Sequence, residues 1–200
     1  MESLEKWELK EREEGKNVNK KEFCIVGESG SGKTSVAELL EKETGLKNIQ
    51  SFTTRKPRYE GETGHIFTTE KQYQCNKAGN KIVAETYFNG NYYWTNKGQF
   101  NQDCIYVIDP VGVKYLKERM KDTEIIVIYL KASKQNRYIR MMARDMDNNK
   151  AMERIEHDEE AFKDAEAIAD YTVDADKPLR KVLEDVKATI DSILNDIDKA

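Results

Sequence analysis

Eight residues of this chain, Gly27-Glu28-Ser29-Gly30-Ser31-Gly32-Lys33-Thr34, can hold a row of phosphates. They fit the spacing G-x-x-x-x-G-K-[ST] without a mismatch. The apolar run Phe23-Cys24-Ile25-Val26 precedes them, and the helix-forming run Ser35-Val36-Ala37-Glu38-Leu39-Leu40 follows. A strand, a glycine-rich turn and a helix, in that order, aim backbone N–H groups and the positive end of a helix at one spot. Gly27, Ser29, Gly30, Ser31, Gly32, Lys33, Thr34 and Ser35 are therefore expected to bind ATP. Lys33 would reach the outer phosphates and Thr34 would hold Mg²⁺.

A second set of charges is Ser51-Phe52-Thr53-Thr54-Arg55-Lys56-Pro57-Arg58. Two arginines three residues apart, with a proline fixing the chain between them, can present two guanidinium forks to one phosphate group. Taken alone, Arg-x-Pro-Arg reads equally well as two surface arginines on a loop. A third set is Arg137, Arg140, Arg144 and Arg154. Arg140 and Arg144 are four residues apart, on one helix face. Phosphoryl transfer needs positive charge on the oxygens of the moving group, which Lys33, Arg140, Arg144 and Arg154 could supply as catalytic candidates; taken alone, the arginines also read as a solvated helix face.

These residues need a scaffold, and the chain reads as alternating strands and helices. Residues 1–21 form an arm of mixed Glu and Lys. After the glycine-rich loop and its helix, residues 48–58 are extended and polar. Residues 59–102 are rich in Gly, Asn, Tyr and Thr, and read as short antiparallel strands with a hairpin turn at Asn89-Gly90. Cys104–Asp109 is a buried strand ending in an acid, and Glu124–Leu130 is a near-continuous apolar strand. Helices are expected at Val111–Met120, Ser133–Met146 and Ala151–Ile168. Asp170–Asp174 is a last short strand, and Leu179, Val182, Leu183, Val186, Ile190, Ile193, Leu194 and Ile197 mark a closing amphipathic helix. The expected fold is α/β: a parallel sheet with helices on both faces, of the P-loop NTPase type. A small mixed β region for substrate binding is inserted in it, and a helical lid covers it.

Composition narrows the function. The 200 residues carry 37 acidic and 33 basic side chains, a formal net charge of −4. A net acidic chain is a poor nucleic-acid binder. No stretch approaches the roughly 20 apolar residues of a membrane span, and the N-terminus does not read as a secretory signal. Cys24, Cys75 and Cys104 make no metal spacing, which suits a reducing cytoplasm.

The motifs together resemble the guanylate kinase family. Its blocks appear in order as Ser51–Arg58, Glu62-Thr63-Gly64, Gly90-Asn91-Tyr92-Tyr93-Trp94-Thr95 and Asp109-Pro110-Val111-Gly112-Val113. The resemblance runs from about residue 22 to the C-terminus, with a core of 22–47 and 103–200, an acceptor region of 48–102 and a lid of about 137–157. It implies that Arg55, Arg58 and Tyr93 hold the phosphate of GMP or dGMP. Ser51, Thr95 and Asp109 would read the guanine edge, with Glu85 as the family's glutamate although its spacing to Gly90 is one residue short. Arg140, Arg144 and Arg154 would belong to the lid.

Three departures stand out. Gly64-His65-Ile66-Phe67 is shorter than the family's segment, so His65 or no residue takes the place of its phosphate-binding tyrosine. Trp94 replaces a glycine and is expected to crowd the base pocket. Val107 replaces a second acid. The implied activity is transfer of the γ-phosphoryl group of ATP to GMP, by a monomer or homodimer. A kinase of broader base preference and a non-catalytic phosphopeptide-binding module of the same fold are the alternatives.

Overall fold

In the computed structural model, residues 20–57, 59–145 and 147–195 are described. Arg58 and most of the charged arm at 1–21 lie outside them. In chain order the elements begin with β1 (Lys20–Val26), α1 (Lys33–Thr44), β2 (Lys47–Ile49), β3 (Ser51–Thr53) and β4 (His65–Phe67). Next come α2 (Glu70–Ala78), β5 (Ile82–Phe88), β6 (Asn91–Asn96), β7 (Cys104–Val107) and α3 (Pro110–Arg119). The rest are β8 (Thr123–Lys131), α4 (Lys134–Asp145), α5 (Asn148–Ala161), α6 (Ala165–Ile168), β9 (Tyr171–Asp174) and α7 (Leu179–Asn195).

Five strands form a parallel sheet in the order β2-β7-β1-β8-β9. Alternation along β1 divides the core. Phe23 and Ile25 point to one face, where Val36, Ala37 and Leu40 of α1 and Val182, Leu183, Val186 and Ile190 of α7 cover them. Cys24 and Val26 point to the other, under Val113 and Leu116 of α3, Met120 at its C-terminal cap and Ala165 of α6. Both faces are dry, which is why these strands read as continuous apolar runs.

The same alternation puts Glu22 on the Cys24 face, fully buried beside Cys104. The Cys24 thiol lies 3.9 Å from Glu22 Oε1, while Oε2 has no hydrogen-bond partner among the described residues. Burial pushes the Glu22 carboxyl up to about 8. The folded chain therefore keeps this proton while the unfolded chain releases it above about pH 4.5, so stability falls as pH rises between the two values. Each pH unit in that window costs about 1.4 kcal/mol. Glu22→Gln should accordingly raise the unfolding free energy by up to about 3.5 kcal/mol at pH 7 and change it little at pH 4. Urea titrations at the two pH values test this, and an equal effect at both would overturn it.

The second sheet has the order β4-β3-β6-β5. β3 pairs β4 in parallel and β6 antiparallel, and β5 and β6 form a hairpin. Its turn is Asn89-Gly90, with φ of 48° and 76°, the two positive values a twisted two-residue hairpin requires. The inserted region is not all strand. α2 lies in it, capped where Thr69 Oγ1 accepts from the Gln72 N–H. Tyr73 and Asn76 are its only buried side chains, so its sequence carries no apolar stripe. Cys75 on this helix is exposed, whereas Cys24 and Cys104 are buried. The helix expected over Ala151–Ile168 is broken after Ala161. Phe162 turns in toward the Cys24 side of the core, and α6 starts afresh at Ala165.

Candidate active site

β1 delivers the chain to the glycine-rich loop at the C-terminal edge of the sheet, and α1 leaves from it. Gly30 adopts φ +81°, and a Cβ there would fall 2.6 Å from the Arg137 carbonyl oxygen, so only glycine lets α4 lie this close. Lys33 Nζ donates to the Glu28 carbonyl at 2.9 Å. Burial lowers its amine to about 8, against the opposing pull of the Asp158 and Glu28 carboxylates.

Two side chains, one on α4 and one on α5, grip one residue of the loop. Asp158 on α5 accepts from the Ser29 N–H at 2.6 Å, and Arg137 Nε on α4 donates to the Ser29 carbonyl at 3.0 Å. The two side chains also pair with each other at 3.0 Å, and Arg137 reaches Glu28 at 3.3 Å. Both are almost wholly buried. Sequence reading included Arg137 in the basic set but missed Asp158, whose acidic neighbours make it look like part of a solvated face. Arg140 Nη2 donates to the Ala175 carbonyl at 2.7 Å, and its Nη1 lies 3.4 Å from the carbonyl oxygens of Gly30 and Ser31. It braces the outside of the loop. Arg144 is exposed at the end of α4 and Arg154 is half-buried on α5.

Opposite the loop stands one face of the second sheet. Cross-strand register puts Ser51, His65, Thr53, Tyr93, Thr86, Thr95 and Ala84 together on it. Glu85 pairs with Trp94 on the reverse face, at the sheet edge, where its side chain still lines the cavity with Tyr73 and Lys77. There Glu85 Oε2 accepts from Tyr73 O–H at 2.8 Å, with Lys77 Nζ at 3.4 Å. Trp94 is buried against Phe52 and Tyr73. The expectation that Trp94 crowds the base pocket is therefore corrected, because strand alternation turns its ring away from Tyr93 and Thr95. Thr86, which the sequence did not single out, instead donates to Asp109 Oδ2 at 2.8 Å. The Gly112 N–H donates to the other Asp109 oxygen at 2.7 Å as the cap of α3.

Thr95 is fully buried and donates to the Tyr106 hydroxyl at 3.4 Å, and Ser51 Oγ lies 3.1 Å from the same phenol. Arg55 makes a two-pronged pair with Glu62 at 2.8 and 3.1 Å. The Glu62 pair and a hydrogen bond to Tyr93 raise its guanidinium further above its ordinary value. His65 and Tyr93 meet edge to face with centroids 5.5 Å apart.

Between loop and sheet lies a cavity of about 730 Å³. Ser29, Lys33 and Asp158 line one side, and Ser51, Thr86, Tyr93, Tyr106 and Asp109 line the other. At its mouth His157 of α5 meets Phe88 of β5, centroids 4.8 Å apart. α5 and β5 thus touch at the cavity wall. Donors, acceptors and a phosphate-binding loop face one enclosed space, which suits two anionic reactants held end to end.

A family model described as "AAA domain" matches residues 24–163. The chain is 30% identical over 141 residues to the guanylate kinase of a Wolbachia species of Brugia malayi, covering 66% of this chain and 72% of that one. It is 26% identical over 134 residues to the guanylate kinase of Bartonella quintana, covering 63% of this chain and spanning only 61% of that relative's length. The fold is similar to the crystal structure of guanylate kinase from Anaplasma phagocytophilum, with a TM-score of 0.64 at 14% identity over 87% of this chain and 86% of that one.

Proposed function

The chain belongs to the guanylate kinase family, and from that premise we propose that it moves the γ-phosphoryl group of ATP to GMP, giving ADP and GDP. The observation that carries the reading is the shared cavity: Lys33 and Ser29 of the phosphate loop face Tyr93, Thr86 and Asp109 across one enclosed space. ATP phosphates on residues 27–34 would meet the Lys33 ammonium, with the Ser29 backbone of the loop held by Arg137 and Asp158. An already ionised phosphate oxygen of GMP attacks the γ-phosphorus, the bond to the β-phosphate oxygen breaks, and no general base is required. Catalysis is then positioning and charge neutralisation.

Arg55, beside Tyr93, and His65 are proposed to hold the acceptor phosphate, together with Arg58. Ser51, Asp109 and Glu85, which all line the cavity, are proposed to face the base, with Thr95 supporting them from behind Tyr106. Arg140, Arg144 and Arg154 are proposed to gather round the transferring group as the lid closes. Mg²⁺ is expected to enter with ATP and neutralise its phosphates. Among the described residues no three His, Cys, Asp or Glu cluster as a metal cage. This fits an ion held by the Thr34 hydroxyl and phosphate oxygens, as Mg²⁺ prefers. Three cysteines without a disulfide fit the cytoplasm, and no helix among the described residues is long and apolar enough to cross a membrane.

A coupled assay of ATP with GMP, dGMP, IMP, AMP, CMP and UMP tests the reading. GMP or dGMP is expected to turn over with a kcat/KM at least about 10²-fold above AMP, because a wrong base leaves buried polar groups unpaired. Equal rates across the bases would sink it.

A further inference from the structure

The hydroxyls of Thr95, Tyr106 and Ser51 form a short chain that joins the two sheets. Tyr106 stands on β7 of the parallel sheet, whereas Ser51 and Thr95 stand on β3 and β6 of the second. All three residues are nine-tenths or more buried. Only Ser51 and Tyr106 reach the cavity. Proton accounting gives the chain a direction. Thr95 Oγ1 donates to the Tyr106 hydroxyl. A buried phenol must place its own proton, and Ser51 Oγ at 3.1 Å is the acceptor in reach. The Ser51 proton is then left to point into the cavity.

At the Asp109 end the polarity is opposite. Its carboxylate receives the Gly112 N–H and the Thr86 hydroxyl, and its remaining lone pairs can only accept.

We propose that Tyr106 sets the polarity of the acceptor pocket: by taking the Thr95 proton and giving its own to Ser51, it makes Ser51 a fixed donor that selects a base carrying a carbonyl over one carrying an amino group. Tyr106 is a positioning residue acting through Ser51, and the inference rests on the acceptor reading above. Burial pushes the phenol well above its ordinary value, so it keeps its proton at neutral pH. A keto purine offers its C6 carbonyl to Ser51 and its N1–H to Asp109. An amino purine mismatches both ends.

The test is Tyr106→Phe, which keeps the ring and removes one oxygen, assayed with GMP, IMP and AMP. GMP and IMP share the carbonyl, so their KM values should rise by the same factor, about 3- to 10-fold for one lost neutral hydrogen bond. kcat should stay unchanged and the preference for GMP over AMP should fall by that same factor, about 3- to 10-fold, because AMP offers Ser51 no carbonyl. The same substitution in a Ser51→Ala background should leave that preference where Ser51→Ala alone puts it, which a purely structural role would not do. If Tyr106→Phe fails to fold, Thr95→Val removes the proton that orients the phenol and should lower the preference in the same direction. Full retention of the GMP preference in the folded variant, or an equal loss in the Ser51→Ala background, overturns the inference alone. A wild-type protein that favours no keto purine overturns the acceptor reading, and the inference falls with it.

Discussion

Lys33→Ala is expected to lower kcat for phosphoryl transfer by at least about 10²–10³-fold, the typical loss when one preorganised donor is removed from developing charge. Lys33 lines the cavity from inside the phosphate loop, and its Nζ donates to the Glu28 carbonyl. Folding should not suffer. Desolvation already disfavours the charged amine, so its removal relieves a cost rather than breaking a strut. The variant should keep its melting temperature while losing turnover in the ATP–GMP assay.

A pH signature accompanies it. With the amine held to about 8 in the free chain, the ammonium that ATP needs is present below that value and is lost as pH rises through it. kcat/KM for ATP should therefore fall above about pH 8, while kcat, measured with phosphates already pairing the amine, falls less. A Lys33→Ala protein retaining a tenth of wild-type kcat would remove the loop from the mechanism.

Asp158→Ala is expected to cost about 3–5 kcal/mol of stability, the usual price of stranding one partner of a buried ion pair. Arg137 would lose its closest carboxylate while remaining almost wholly buried, and the Ser29 N–H would lose its acceptor. Glu28, 3.3 Å from Arg137, holds the loss toward the lower end. The double variant Arg137→Met with Asp158→Ala should recover much of it, because an apolar pair avoids burying charge at all. Urea midpoints of the two variants decide. A single-variant loss below about 1 kcal/mol, the range of an exposed pair, would mean that the contact is not the tie between lid and loop.

What the sequence disclosed was mostly local. The phosphate loop, the Asn89-Gly90 turn and the apolar strands each depend on a few consecutive residues, so pattern and propensity suffice. α2 escaped because a helix lying on a sheet by little more than Tyr73 needs no apolar stripe; its cue was the cap at Thr69 with Gln72 three residues on. The side to which Trp94 points was available from strand alternation alone, once Tyr93 and Thr95 were assigned to one face. The Arg137–Asp158 pair and the Thr95–Tyr106–Ser51 hydroxyls were out of reach. Their partners come from separate elements, and no spacing rule links them. His157 looked like a solvated neighbour of acids, yet its ring meets Phe88 from a different sheet.

The three thiols differ in a way that matters at the bench. Burial raises Cys24 and Cys104 well above their ordinary range, so neither forms the reactive thiolate under native conditions. Cys75 is exposed on α2, the helix whose Tyr73 and Lys77 border the acceptor cavity. A maleimide fluorophore added to the unaltered chain therefore has one site to take. That site sits on the outer wall of the pocket that GMP would fill, and gives a single-position optical reporter of acceptor binding without any mutation.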